Sequence, residues 1–253
     1  AAVGIVVVPP RNVQAEICYL SNDGTGTDTP SILGATDGAV NTSLACGRNA
    51  STNAITPAAT NATAIGQNSD ANTGATAVGQ NAQAQGTDSV AVGRSSAASG
   101  ADSVSVGVLS SATQANSTAV GQNADATGLQ STAIGSDSTV NSQDATGVGF
   151  NSNVSAQNGT ALGSGSSINA AGVNGTAIGQ SSSVTATGGT AVGQNSTASG
   201  DNSIAVGINS NVTGAGDNSV GVGSNTNVAG TNSVVVGNDA TTNAAGDSAV
   251  VIG

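Results

Sequence analysis

Cys18 and Cys46 hold most of the reactive chemistry available to this chain. They are its only cysteines, and an even pair in a chain that reads as secreted can close a disulfide that pins the N-terminal segment to the first repeat. Two buried thiols are the alternative. Beyond them, reactive residue types are thin. Serine is abundant, but there is no His or Lys to activate it, and Glu16 is the only glutamate. Nucleophilic or general acid–base catalysis needs such a partner within reach. Aspartates such as Asp88, Asp102, Asp201, Asp217 and Asp247 fall just before runs of branched residues, where Asx turns account for them. The Gly-Gly-x-Gly-x-Asp spacing of calcium-binding solenoids is missing. The expectation is therefore no enzyme, no metal site and no cofactor. Nine Asn-x-Ser/Thr triplets begin at Asn41, and composition alone explains that number.

The elements that carry these residues must be unusual, because the chain lacks the side chains of an ordinary core. Its 253 residues include one Tyr, one Phe, no Trp and no Met, and the apolar content is mostly Ala and Val. Disordered segments lack β-branched residues, whereas here Val and Ile recur on a schedule. A net charge of −11, with Arg11, Arg48 and Arg94 as the only cations, excludes the basic footprint of a nucleic-acid or anionic-lipid binder. No run of 18 apolar residues spans a membrane. The start without Met fits a chain whose signal peptide has been removed.

The schedule counts to fourteen. A Val, Ile or Leu followed by Gly closes each repeat at Gly66, Gly79, Gly93, Gly107, Gly121, Gly135, Gly149, Gly163, Gly179, Gly193, Gly207, Gly223, Gly237 and Gly253, with steps of 13, 14 or 16 residues. Leu44–Gly47 is an earlier copy. Such self-similarity predicts a solenoid. Small or branched residues recur three and five places after each glycine, as in Ala82 and Ala84, so each coil holds two short strands. Corners fall at Gly-x-Asn, as at Asn81 and Asn123, and at a second glycine seven residues on, such as Gly86, Gly100 and Gly128. Gly and Asn accept a left-handed backbone there. The fold class is all-β, a parallel β-roll or β-solenoid of about fifteen 14-residue coils. At roughly 4.8 Å per coil the rod is about 70 Å long, and the 16-residue coils bulge at a corner.

The Val/Ile before each glycine reads as a buried ladder. In strands such as Val90–Val92 neither face is polar, so one packs into its own roll and the other against something else, most simply another copy of the chain. A homotrimer is the expectation. Thr63, Thr76, Thr118, Thr132, Thr146, Thr160, Thr176 and Thr190 form a column that could suggest ice binding, but Val90 and Val104 interrupt it and burial is expected.

The units TDSVAVGRSSAASG (87–100), DNSIAVGINSNVTG (201–214) and TNSVVVGNDA (231–240) resemble the Asn-Ser-Val-Ala-Ile-Gly repeat of the YadA-like head domains of trimeric autotransporter adhesins. The resemblance covers roughly residues 41–253. It implies a left-handed parallel β-roll, three chains joined with the Val/Ile strands toward the trimer centre, display on the bacterial cell surface, and binding to extracellular matrix proteins, cells or surfaces. The first 40 residues do not match. The expected organisation is an extension over 1–40, with a strand at 12–20 and a loop at 21–37, and repeats over 41–253. A competing expectation is a filament subunit. The apolar Val3, Ile5, Val6, Val7 and Val8 could add as a strand to a neighbour, and Val250, Val251 and Ile252 form an edge that could receive it. Residues 1–10 could equally cap their own roll. Either way this segment does not insert into a membrane.

Overall fold

Strands of three residues alternate with strands of two along almost the whole repeat region. The structure, a computed structural model, describes residues 18–20, 36–37, 43–52, 61–214, 216–243 and 247–253. Among the described residues there is no helix. The long strands build one sheet and the short strands another, each gaining one strand per coil. Neighbours are parallel and in register: Val104 lies between Val90 and Thr118, and Ala112 between Ala98 and Ala126. Thirteen complete coils run from Leu44–Cys46 to Asn227–Val228. Val234–Val236 and Val250–Ile252 then bring the parallel long strands to fifteen, as the glycine count anticipates.

Fourteen is twice seven. Gly121-Gln-Asn-Ala-Asp-Ala-Thr and Gly128-Leu-Gln-Ser-Thr-Ala-Ile are two halves of one coil with the same plan. The third residue of each turns the chain in a left-handed conformation, Asn123 at φ +55° and Gln130 at φ +56°. The fourth and sixth point inward and are buried. Serine often fills the fourth place, and several of these hydroxyls donate to the carbonyl of the glycine three residues earlier, as from Ser131 to Gly128 (2.7 Å), Ser89 to Gly86 (2.7 Å) and Ser96 to Gly93 (3.0 Å), while those of Ser103, Ser138, Ser152 and Ser203 are buried without a partner. Where the bond forms, a small hydroxyl enters the interior satisfied and closes the corner from inside.

The two kinds of glycine serve differently. Gly121 has φ +139°, a region closed to side chains, whereas Gly86, Gly100 and Gly128 are not left-handed. The second-corner glycines are needed because a Cβ there would overlap the backbone carbonyl of the next coil. The expectation of left-handed glycines therefore holds at the first corner and fails at Gly86, Gly100 and Gly128; at the second corner it holds where glycine takes the turning third position, at Gly74 (φ +69°) and Gly188 (φ +66°).

The interior is narrower than the Val/Ile pattern suggests. A three-residue strand turns one side chain inward and two outward, and the inward one is the central alanine: Ala77, Ala91, Ala119 and Ala133 are fully buried. The Val/Ile column lies on the outer face and is half-buried or exposed, which corrects the buried ladder expected from sequence; the threonine column beside it is half-buried. Larger apolar residues enter mainly from the short strands, at Val140, Val154, Ile168, Val184, Val212 and Val228, with Val235 the one from a long strand, and glycine makes room for several of them. A Cβ on Gly147 would lie 2.7 Å from Val140 Cγ2, one on Gly159 2.8 Å from Val154 Cγ1, and one on Gly175 2.8 Å from Val184 Cγ1.

At the N-terminal end, Cys18–Leu20 pairs antiparallel with Leu44–Cys46 and covers the first edge of the long-strand sheet. The loop expected over 21–37 ends in a strand, Thr36–Asp37, parallel to Ser51–Thr52 in the second sheet. Residues 12–17 of the expected first strand lie outside the described residues. The 16-residue coil between Gly163 and Gly179 keeps both ladders in register, Thr160 beside Thr176 and Ser167 beside Ser183, so its extra residues sit at the second corner, as expected.

Candidate functional site

Three surfaces remain once the interior is filled. The first is the outer face of the long strands, formed by their first and third residues. From Leu44 and Cys46 to Val250 and Ile252 these thirty positions are Thr, Val, Ile, Leu or Cys, with no charge and no amide. Ile65, Ile134, Ile178, Ile204, Val222, Val234 and Val236 are 37–39% exposed. A strip fifteen strands tall and one short strand wide has an area on the order of 500 Å², at the upper end of what a monomer leaves to water without a partner.

The second surface is the outer face of the short strands. Thr139, Asn153, Ser167, Ser183, Thr197, Asn211 and Asn227 line it without a charge. Its amides and hydroxyls bond along the rod, as from Asn211 Nδ2 to Asn227 Oδ1 (3.0 Å) and from Thr185 Oγ1 to Ser199 Oγ (2.8 Å). Asp70 and Asp125 interrupt it, each with one carboxylate oxygen buried and unpartnered. Desolvation raises the Asp70 carboxyl above its ordinary value of 3.8, while a hydrogen bond with Ser51 pulls it down. A carboxyl raised by folding favours the protonated form. Its relative stabilisation is present below the unfolded value and lost as pH rises through the folded one. Asp70→Asn is therefore expected to raise the melting temperature at pH 7 and leave it unchanged near pH 3, which thermal melts at the two values would check.

The third surface is the pair of corner ridges. On the first corner amides bond from coil to coil: Asn195 to Asn209 (3.2 Å), Asn209 to Asn225 (2.9 Å) and Asn225 to Asp239 (2.9 Å). Leu109, Phe150 and Ile208 stand exposed on the same ridge. On the second corner Asp201, Asp217 and Asp247 accept from the backbone N–H of Thr187, Asp201 and Thr231 in the preceding coil, at 2.9–3.0 Å. These three act between coils, not as the local Asx turns expected from sequence. Among the described residues no group of three His, Cys, Asp or Glu could hold a metal.

The structure separates the remaining sequence candidates. The backbone register sets Cys18 opposite Cys46. Val250 and Ile252 are 70% and 80% exposed on the last strand, whereas Val251 packs against the core. Val3, Ile5, Val6, Val7 and Val8 lie outside the described residues. Sequence reasoning passed over the serine staples and the inter-coil amide ladder. Gly-x-x-Ser at both corners and Asn at the same phase in successive coils were the signals for them.

Comparison with known proteins fits this geometry. The family model for the YadA head domain repeat, which describes two copies of the repeat, matches residues 71–96, 98–124, 126–146, 141–166, 170–196, 185–210, 198–216 and 215–240. No match is found among curated proteins. Among solved structures, the crystal structure of the collagen-binding domain of the Yersinia adhesin YadA is similar, at 21% identity over 77% of this chain and 67% of that chain, with a TM-score of 0.24. A superposition that loose adds no weight, so the assignment rests on the repeats. Their matches span well over half of the sequence and lie in phase with the coils. The chain belongs to the YadA head domain repeat family.

Proposed function

We propose that this chain is the head of a surface-displayed, extracellular adhesin, non-enzymatic, in which three copies associate through the long-strand face and present the short-strand face and corner ridges to a partner. The observation that carries the reading is the uncharged outer face of Thr, Val and Ile, continuous over fifteen strands. Burying it between copies removes its apolar area from water and gives a thin roll the bulk that its alanine interior does not. The outward surfaces repeat every coil, so weak contacts with an extended partner multiply along the rod. A matrix protein is the first partner to test, since the similar solved structure is described as collagen-binding.

Binding of the assembled protein to immobilised collagen and other matrix proteins tests the reading, against a variant lacking residues 94–135, which removes three whole coils in phase. Retention is expected to fall by more than the lost fraction of length. Absence of binding to any matrix protein or cell surface would remove the adhesive role.

A Cys18–Cys46 bridge belongs to the same reading, because it needs an oxidising compartment. The cross-strand register of the two residues supports it. Closing a loop of this length contributes about 3–4 kcal/mol in the chain-entropy account. A reducing agent is expected to lower the unfolding free energy from denaturant melts by that amount; thiols that alkylate without prior reduction would contradict the bridge.

A further inference from the structure

The interior of the roll is apolar over two stretches and hydroxylic at one coil between them. Contacts among buried apolar side chains connect Ala45 through Ala98 and, separately, Ala112 through Ala240. At the boundary lies the coil of Val104–Val106 and Ser111–Ala112, whose interior holds Ser103, Ser105 and Ser110 before Ala112 opens the second stretch. The central residue of the long strand is Ala, Gly or Val in every other described coil, and here it is Ser105. Ser105 and Ser110 share a hydrogen bond of 2.7 Å, Ser110 also donates to the Gly107 carbonyl at 3.1 Å, and the Ser103 hydroxyl is buried without a partner.

The first-corner ridge also changes at this coil. The first-corner amide ladder runs from Asn49 to Asn68 to Asn81, stops at Ser95 and Leu109, and resumes from Asn123 to Asp137; it stops again beyond Asp137, across Gly165 and Ser181, and resumes at Asn195, so what sets this coil apart on the ridge is Leu109. Leu109 holds φ +60° and is 53% exposed, in a place where other coils put Asn, Asp, Ser or Gly. A leucine has no side-chain polar group to support a left-handed backbone, so the conformation is strained. Only the backbone ladders pass through unbroken, from Val90 to Val104 to Thr118.

We infer that this coil is a built-in seam, at which the rod divides under heat or axial tension into an N-terminal block, residues 44–98, and a C-terminal block, residues 112–240, that open separately. In a stacked repeat, stability is a sum of coil terms and nearest-neighbour interfaces, so cooperativity fails first where one interface is weak. The N-terminal block opens first, because its buried apolar filling is alanine, whereas the other contains Val140, Val154, Ile168 and Val184. The inference rests on the fold and not on what the rod binds.

Hydrogen exchange read by mass spectrometry on the full chain, at rising denaturant, tests it. Peptides from 61–98 are expected to exchange as one block and those from 112–236 as a second, with rates at least about tenfold apart across the seam. Ser105→Ala joins the two apolar interiors and leaves Ser110 its bond to Gly107, so the blocks are expected to merge toward one transition. Leu109→Asn relieves the strained corner and supplies the missing amide without touching the interior, and is expected to narrow the gap by itself. Uniform exchange along the wild-type rod, or a boundary elsewhere, would overturn the seam. So would a boundary at this coil that neither substitution weakens.

Discussion

Gly121→Ala costs about 3 kcal/mol or more and disrupts the stack at its own coil, whereas Gly165→Asn costs little. Gly121 combines two demands. Its φ of +139° lies where side chains are not tolerated, and its Cβ would overlap the carbonyl of Gly135 directly above it. Neither relaxes easily, because both glycines sit in the continuous ladder in which Gly121 N–H donates to Val106 and Gly135 N–H to Val120, at 2.8 Å each. Gly165 sits at the third position of a corner with φ +66°, and its nearest neighbour beyond a Cβ is Ser181 Oγ at 3.6 Å. Asparagine already fills that conformation in most coils, as at Asn151 and Asn195. Denaturant melts of the two variants would separate them; equal losses would mean that the glycine ladder is not what fixes the spacing of the coils.

The second large effect is one of sign reversal in the core. Val140→Ala is expected to cost about 2–3 kcal/mol, since the side chain is fully buried and the backbone around it is tied on both sides by the short-strand ladder. Gly147→Ala alone is expected to destabilise as well, because the new Cβ meets Val140 Cγ2 at 2.7 Å. Together they recreate the pairing of the preceding coil, Ala126 with Ala133, and the double variant is expected to recover most of the loss. A double-mutant cycle measures this coupling, and additive costs would contradict the exchange of volume between facing columns.

Those two sites mark how much was legible in the sequence. The all-β solenoid, its period and the corner asparagines could be read because each occupies one phase of a repeat seen fourteen times. Which face of the long strand turns inward could not. Val-Ala-Val gives two apolar faces, and only the width of the closed roll decides that Ala91 fills it while Val90 and Val92 face outward. The pairing of Gly147 with Val140 was equally hidden, since it joins a long strand of one coil to the short strand before it. On the candidate surfaces, the apolar face was anticipated from the absence of polar residues in the long strands. The amide ladder was not, because hydrogen bonds between coils have no local signature beyond shared phase.

The most direct measurement is the mass of the purified protein in solution by sedimentation equilibrium. On the proposed reading partner copies cover the long-strand face, and three copies of the 23.5 kDa chain are predicted, falling to one when Ile134 and Val148 on that face are both replaced by Asp. A wild-type chain that sediments as a stable, well-folded monomer would contradict the account.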